Sequence, residues 1–238
     1  MELDWKSMWE VFTVQIQRGS GKLILQGLKT TLIIAVLGLL IGIVIGTIIA
    51  VTRVVPRYKP LPKILNVTSS IYVGLFRGTP IVVQLLIGYF ILMPLLNIKA
   101  DGLNVAIVIF GLNSGAYVSE IMRSGIQSVD VGQLEAGRAV GLSYPVAMSK
   151  VVIPQAIKNI LPTLGNEFIV LVKETSVVSF IAVMDLTKAF KNIGDKNYEY
   201  IVPYLLLALT YLVIVYFITL IIALLEKQMN KSNRKTGK

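Results

Sequence analysis

Neither cysteine nor histidine occurs among the 238 residues. Their absence excludes disulfides, thiol catalysis, Cys/His zinc sites and any Ser-His-Asp triad. Acidic residues are scarce: 13 Asp and Glu stand against 23 Lys and Arg, a formal net charge of +10. No Gly-x-x-x-x-Gly-Lys-Ser/Thr segment is present. The reading therefore expects no phosphate cradle, no catalytic residues, no metal and no cofactor in this chain, and any ATP and Mg would have to be bound by another subunit. A secretory leader is not expected either. The chain opens Met1-Glu2-Leu3-Asp4-Trp5, with acids where a cationic n-region belongs, and no apolar h-region follows.

Apolar runs are abundant. Hydrophobic residues make up 55% of the chain, and they gather in stretches long enough to cross a bilayer, where only a helix satisfies its own backbone. The cations cluster at the ends of these runs and form no face with interleaved aromatics, so the basic balance speaks for membrane topology and against nucleic acid. The fold class expected is all-α, a polytopic transmembrane helical bundle of five spans with the N-terminus out and the C-terminus in.

Residues 1–21 read as an amphipathic interface segment. Trp5, Met8, Trp9, Phe12 and Ile16 fall on one helical stripe, with Trp at the level membrane interfaces favour. Residues 22–225 read as the transmembrane domain, and residues 226–238 as a basic cytoplasmic tail. The first span, near Leu23–Val51, carries Gly38, Gly42 and Gly46 at intervals of four, the small-residue spacing of close helix packing. Arg53 to Lys63 holds three prolines and four cations, which predicts a helix-breaking cytoplasmic loop. A second span near Leu65–Leu96 is interrupted by Arg77-Gly78-Thr79-Pro80. A third runs near Val105–Ile126. A fourth, near Ile160–Met184, is cut by Lys173-Glu174-Thr175-Ser176, the sign of a discontinuous helix lining a cavity. A fifth lies near Val202–Leu225.

Residues 130–154 are polar and long enough for a helix, a turn and a second helix. They read Glu135-Ala136-Gly137-Arg138-Ala139-Val140-Gly141, nine residues, then Val151-Val152-Ile153-Pro154. This segment resembles the EAA loop of ABC importer permease subunits. Glu135, Ala136, Gly141 and Pro154 match that pattern, while Gly137, Val151 and Ile153 depart from it without changing the spacing. Physically, Gly141 permits a tight turn, and Pro154 opens the next element where a missing N–H costs nothing.

Three further segments are similar to the polar amino acid branch, the histidine/glutamine/arginine permeases: Gly74-Leu75-Phe76-Arg77-Gly78-Thr79-Pro80, Ser114 to Arg123, and Gly165-Asn166-Glu167-Phe168. The resemblance implies a multi-pass bacterial inner-membrane subunit of an ATP-driven amino acid importer. It also implies ABC ATPase subunits below, an extracytoplasmic solute-binding protein, and a second permease copy or related permease as homo- or heterodimer. Glu135, Ala136, Arg138, Gly141 and Pro154 would then couple the ATPase to the bundle.

Ionisable groups in a membrane helix are costly, so they usually face a cavity or a partner. Glu167 and its neighbour Asn166 are candidate substrate contacts, with Glu167 holding a cationic group. Its other reading is an ion pair with Arg77 or Lys173. Asn113 and Ser114 could hydrogen-bond substrate in the same pocket or glue helices together. Arg77 could hold a carboxylate or a helix end, and Glu120 with Arg123 suggests a local pair. The alternative function is a self-sufficient transporter or channel driven by an ion gradient, and Lys173 with Ser176 is the one formal dyad for an intramembrane hydrolase. The sequence leaves open which amino acid is carried.

Overall fold

The computed structural model describes residues 4–54, 60–196 and 198–236. Among them there are helices and turns and no strands. That is the all-helical class the apolar runs predict.

Helix α1 spans Trp5–Gln15, and its N-cap Asp4 accepts a hydrogen bond from the Ser7 N–H at 3.2 Å. The terminal stripe divides its duties. Phe12 is buried with Leu186, Phe190, Ile193 and Val202, and Met8 and Ile16 pack beside it. Trp5 and Trp9 stay about half exposed, at 53% and 52%. Packing against this protein therefore takes part of a face that the sequence assigns to the membrane surface. Gly19, at φ 96°, breaks the path in a region only glycine occupies freely. Helix α2, Gly21–Val54, then runs for 34 residues.

Helix α3 spans Pro60–Gly78. Here the loop expected through Lys63 is shorter at its far end. Pro60 and Pro62 sit in the first turn of α3, where their missing N–H groups would have no helical partner anyway. The predicted break at Arg77–Pro80 is sharp: α3 and the segment Ile81–Leu95 meet at 104°. Pro80 is the extended N-cap of helix α4, Ile81–Ile87, and the residue before a proline avoids helical dihedrals. A π-type turn, Gly88–Leu92, joins α4 to the short helix α5, Met93–Leu95.

Helix α6 spans Gly102–Gln127, α7 spans Val131–Ala139 and α8 spans Tyr144–Ala147. Another π-type turn, Met148–Val152, leads directly into α9, Ile153–Glu174. Unlike the π-type turn at Ile16–Ser20, these two end two residues before a proline, Pro94 or Pro154. In each, the following N–H reaches back five residues, Met93 to the Gly88 carbonyl and Ile153 to the Met148 carbonyl. A proline cannot bond the carbonyl four back and its ring collides with it, so the widened turn gives that carbonyl room. Pro154 thus stands inside a continuous helical path rather than at its start.

Helix α9 ends at Glu174 and a 3₁₀ segment, Thr175–Ile181, follows. The predicted discontinuity therefore falls at the predicted residues. The helix before it begins earlier than read, however, and its 22 residues extend about 33 Å at 1.5 Å per residue. Helix α10, Leu186–Asp195, and helix α11, Ile201–Thr236, complete the chain.

Among the described residues, three helical stretches are long and apolar enough to cross a membrane: Trp5–Arg53, Gly102–Gln127 and Ile201–Met229; the bent pair Pro60–Gly78 with Ile81–Leu95 makes a fourth if counted as one span. Two compact units emerge from the packing. One gathers the N-terminal part through Gly38, Pro80–Phe110 and Ile169–Ile218; the other gathers Leu39–Thr79, Gly111–Phe168 and the chain from Thr219. All ten residues singled out as candidate substrate or coupling residues fall in the second unit.

Candidate translocation and coupling site

In the second unit, α2 and α6 interlock through glycines on both sides. A methyl group built on Gly42 would stand 2.5 Å from Ser114 Oγ, and one on Gly46 would stand 2.7 Å from Val118 Cβ. In return, Gly111 and Gly115 receive Ile41 and Ile45. Dispersion and close backbone approach drive such seams, because lipid offers no hydrophobic advantage for helix association. Two of the three glycines spaced by four thus do what the spacing predicts.

Asn113 and Ser114 are both buried beside this seam, at 3% and 0% exposure. Asn113 Nδ2 donates to the Phe76 carbonyl at 3.4 Å, tying α6 to α3. Tyr72 OH donates to the Leu112 carbonyl, and Thr52 and Ser69 hydroxyls meet at 2.8 Å. Ser114 Oγ has no hydrogen-bond partner. These contacts put Asn113 in the role of interhelical glue, one of the two roles its residue type allows.

Glu120 is the electrostatic centre of the unit. Its Oε1 pairs with Arg53 Nη1, its Oε2 lies 2.7 Å from Arg123 Nη2, and Arg77 Nη1 stands 4.0 Å from Oε1. The Arg77 guanidinium also rests over the Tyr117 ring, 5.3 Å from its centroid. The local Glu120–Arg123 pair is the one the i, i+3 spacing suggests. The recruitment of Arg53 and Arg77 from 67 and 43 positions away is not visible in the sequence. One carboxylate therefore joins the end of α2, the end of α3 and the middle of α6. Three guanidinium groups on one carboxylate leave a net charge of about +2 there, which the partial exposure of Arg77, 45% of its side chain, lets water screen.

Glu167 is buried on α9, at 8% exposure, while Asn166 beside it is exposed. Adjacent helical residues point about 100° apart, so one site cannot receive both side chains from the same direction. Below them Gly165 accommodates Ile222 of α11, whose side chain lies 2.8 Å from a built methyl.

The segment after α6 forms a helix, a turn and a helical return. Asp130 caps α7, its Oδ1 accepting from the Gly132 N–H at 2.7 Å. Gly141 turns the chain at φ 89°, a left-handed conformation that side chains resist, and Arg138 Nη1 donates to the Leu142 carbonyl at 2.8 Å across that turn. Leu134 and Met148 pack onto a core of Val118, Val129, Val152, Ala156, Ile160 and Leu164. Gly137 is buried against Ala147, Leu142 and Val151; the family pattern has alanine there, and a methyl would stand 3.4 Å from Ala147 Cβ. The outward side of α7 carries Val131, Glu135, Ala136, Arg138 and Ala139, all exposed, with Val131 at 67% and Val140 at 79%. Small and apolar groups thus stand in the open on this short helix beside the charged Glu135 and Arg138.

Long apolar helices, a broken second span and a rigid polar hairpin together fit the membrane subunit of a transporter. Residues 42–231 match the model of the binding-protein-dependent transport system inner membrane component family, and the chain belongs to that family. It is 34% identical over 230 residues to the glutamine transport system permease protein of Escherichia coli, covering 96% of this chain and 99% of that one. It is 42% identical over 165 residues to the arginine transport system permease protein of Bacillus subtilis, covering 69% of this chain and 75% of that protein. Among solved structures, an amino acid ABC transporter crystallised with histidines superposes with a TM-score of 0.83 at 37% identity, covering 96% of this chain and all of that one. An inward-facing methionine ABC transporter, 20% identical, shares the fold with a TM-score of 0.70 over 87% of this chain and 95% of that one.

Proposed function

We propose that this chain is the membrane-spanning subunit of an ATP-driven amino acid importer, with five crossings, the N-terminus outside and the basic tail inside. The observation that carries the reading is whole-length kinship with a glutamine permease subunit, with the arginine relative in support. In this reading α9 belongs to the fourth crossing and α11 is the fifth, and the buried Glu167 of α9 draws the ammonium or cationic side chain of the substrate. Ser114 and Arg77 complete the candidate substrate set, since Asn166 faces away from Glu167 and Asn113 ties α6 to α3. The hairpin of residues 130–154 receives the ATPase subunit through Glu135, Ala136 and Arg138, with Gly141 and Pro154 holding its shape. An external binding protein delivers substrate, and a second permease subunit completes the path.

Mechanically, a rigid hairpin anchored on the core around Val152 and Ala156 passes displacement upward without a covalent step. The Glu120 cluster lies on the route, tying three helices that must move together or apart as the site opens to one side and then the other. The test is reconstitution in liposomes with the cognate ATPase and binding protein. Uptake of glutamine, arginine or cystine should require all components and hydrolysable ATP. Uptake by this chain alone, driven by an ion gradient, would overturn the proposal.

A further inference from the structure

The first unit holds a polar cavity of about 330 Å³ within the size range of small-ligand sites. Its walls include Gln26 and Thr30 from α2, Tyr89, Asp101 at the start of α6, and Ala182 and Met184. Among the described residues, the amide of Gln26, the hydroxyls of Thr30 and Tyr89 and the carboxylate of Asp101 have no hydrogen-bond or ion-pair partner. Four such groups converging without pairing each other leave their bonding capacity directed at whatever enters.

The cavity is built rather than incidental. Gly27 lets the 185–186 backbone approach α2 so closely that a methyl there would stand 2.6 Å from the Asp185 carbonyl. Thr31 Oγ1 accepts from the Leu186 N–H at 3.4 Å. Ala182 sits at φ 63°, in the left-handed region that a non-glycine residue adopts only when its surroundings require it. Gly102 admits Val183 Cγ2 at 3.0 Å and the Ile181 carbonyl at 3.4 Å from a built methyl. These contacts fix the 181–184 wall against the first turn of α6.

We infer that this cavity is a second substrate site, an outer waiting position at which Asp101 takes the ammonium group of an amino acid while Gln26, Thr30 and Tyr89 supply neutral hydrogen bonds. The inference rests on the import reading and on an outside position for residues 97–104, a loop whose single Lys99 is balanced by Asp101 rather than being strongly basic. Lys99 lines a neighbouring cavity that shares Tyr89 with this one, so one charge of each sign is spread over the two adjoining cavities. Asp101 also precedes the positive end of α6; a purely structural carboxylate there would serve the helix and show no response to ligand.

The chain's lack of cysteine makes the test clean. Thr30→Cys, and separately Gln26→Cys, is placed in the complete transporter in liposomes, and modification of this chain by external methanethiosulfonates is followed by mass spectrometry. With each rate divided by that reagent's rate toward a free thiol, a trimethylammonium reagent should be favoured about tenfold over a sulfonate reagent, as a unit charge within several ångströms of a partly solvated site requires. Asp101→Asn should abolish that preference, and millimolar glutamine or arginine should slow labelling. Equal normalised rates for the two reagents, or labelling indifferent to amino acids in vesicles whose wild-type transporter takes them up, would overturn the inference. Absence of uptake by the wild-type vesicles would overturn the import reading instead.

Discussion

Gly46→Ala tests whether the α2–α6 seam governs this unit's stability. The new methyl would meet Val118 Cβ and Cγ1 at 2.7 Å and the Ser119 amide nitrogen at 2.8 Å. Two of these atoms belong to rigid parts of α6, so rotation of one side chain does not relieve the clash. Restoring ordinary contact at about 3.8 Å requires the helices to part by roughly 1 Å, which forfeits a quarter to a half of each facing dispersion contact. Overpacking of this kind costs about 1–3 kcal/mol. Alanine's better helix propensity returns about 1 kcal/mol, leaving a net loss of up to about 2 kcal/mol, or up to roughly 4–8 °C in Tm for a chain of this size. Circular dichroism on the detergent-solubilised chain measures it. Gly74→Ala is the control, since a methyl there meets nothing within 4 Å, and it should be neutral or mildly stabilising. If Gly46→Ala matched or exceeded the control in Tm, the close-packed seam would be refuted.

Three further perturbations separate the remaining roles. Glu120→Gln should cost about 2–3 kcal/mol, between exposed and buried ion pairs, because Arg53 and Glu120 retain 16% and 18% side-chain exposure; a double-mutant cycle with Arg53→Gln that shows no coupling would contradict the pair. Gly141→Val should uncouple ATP hydrolysis from uptake while leaving stability within about 2 kcal/mol of wild type, as a strained φ of 89° implies; an unaltered ratio of uptake to hydrolysis would count against the hairpin. Burial raises the Asp185 carboxyl above its ordinary value although the Thr187 and Lys188 N–H groups donate to it at 2.9 and 3.0 Å. The folded state then holds a proton that the unfolded chain has lost, so stability falls as pH rises from the ordinary aspartate value through the raised one. Asp185→Asn keeps the cap and should flatten that pH dependence of Tm, and an unchanged slope would reject the assignment.

Local signals carried the reading of this chain further than distant ones. The break at Arg77–Pro80, the turn at Gly141 and the end of α9 at Glu174 are written in proline, glycine and polar residues within a few positions of each other. Glycine spacing announced the α2 seam, but the reciprocal Gly111 and Gly115 pockets depend on a crossing that no local pattern encodes. Arg53 was read as a topology signal and became a ligand of Glu120 for the same reason. The early start of α9 was hidden because Pro154, Lys158 and Pro162 look like loop residues, whereas a π-type turn ahead of Pro154 absorbs the first break. Asn166 and Glu167, adjacent in sequence, were grouped although helical rotation separates them.

The central claim is that the hairpin of residues 130–154 is gripped by a separate ATPase. Cross-linking measures this most directly: Ala136→Cys supplies the chain's one thiol, exposed on α7, and a short bifunctional reagent is applied to the intact transporter. A cross-link to the ATPase subunit, weakened or strengthened by ATP, is the predicted result. Reaction of that thiol with water-borne reagents alone, at the same rate with and without the ATPase present, would contradict the account.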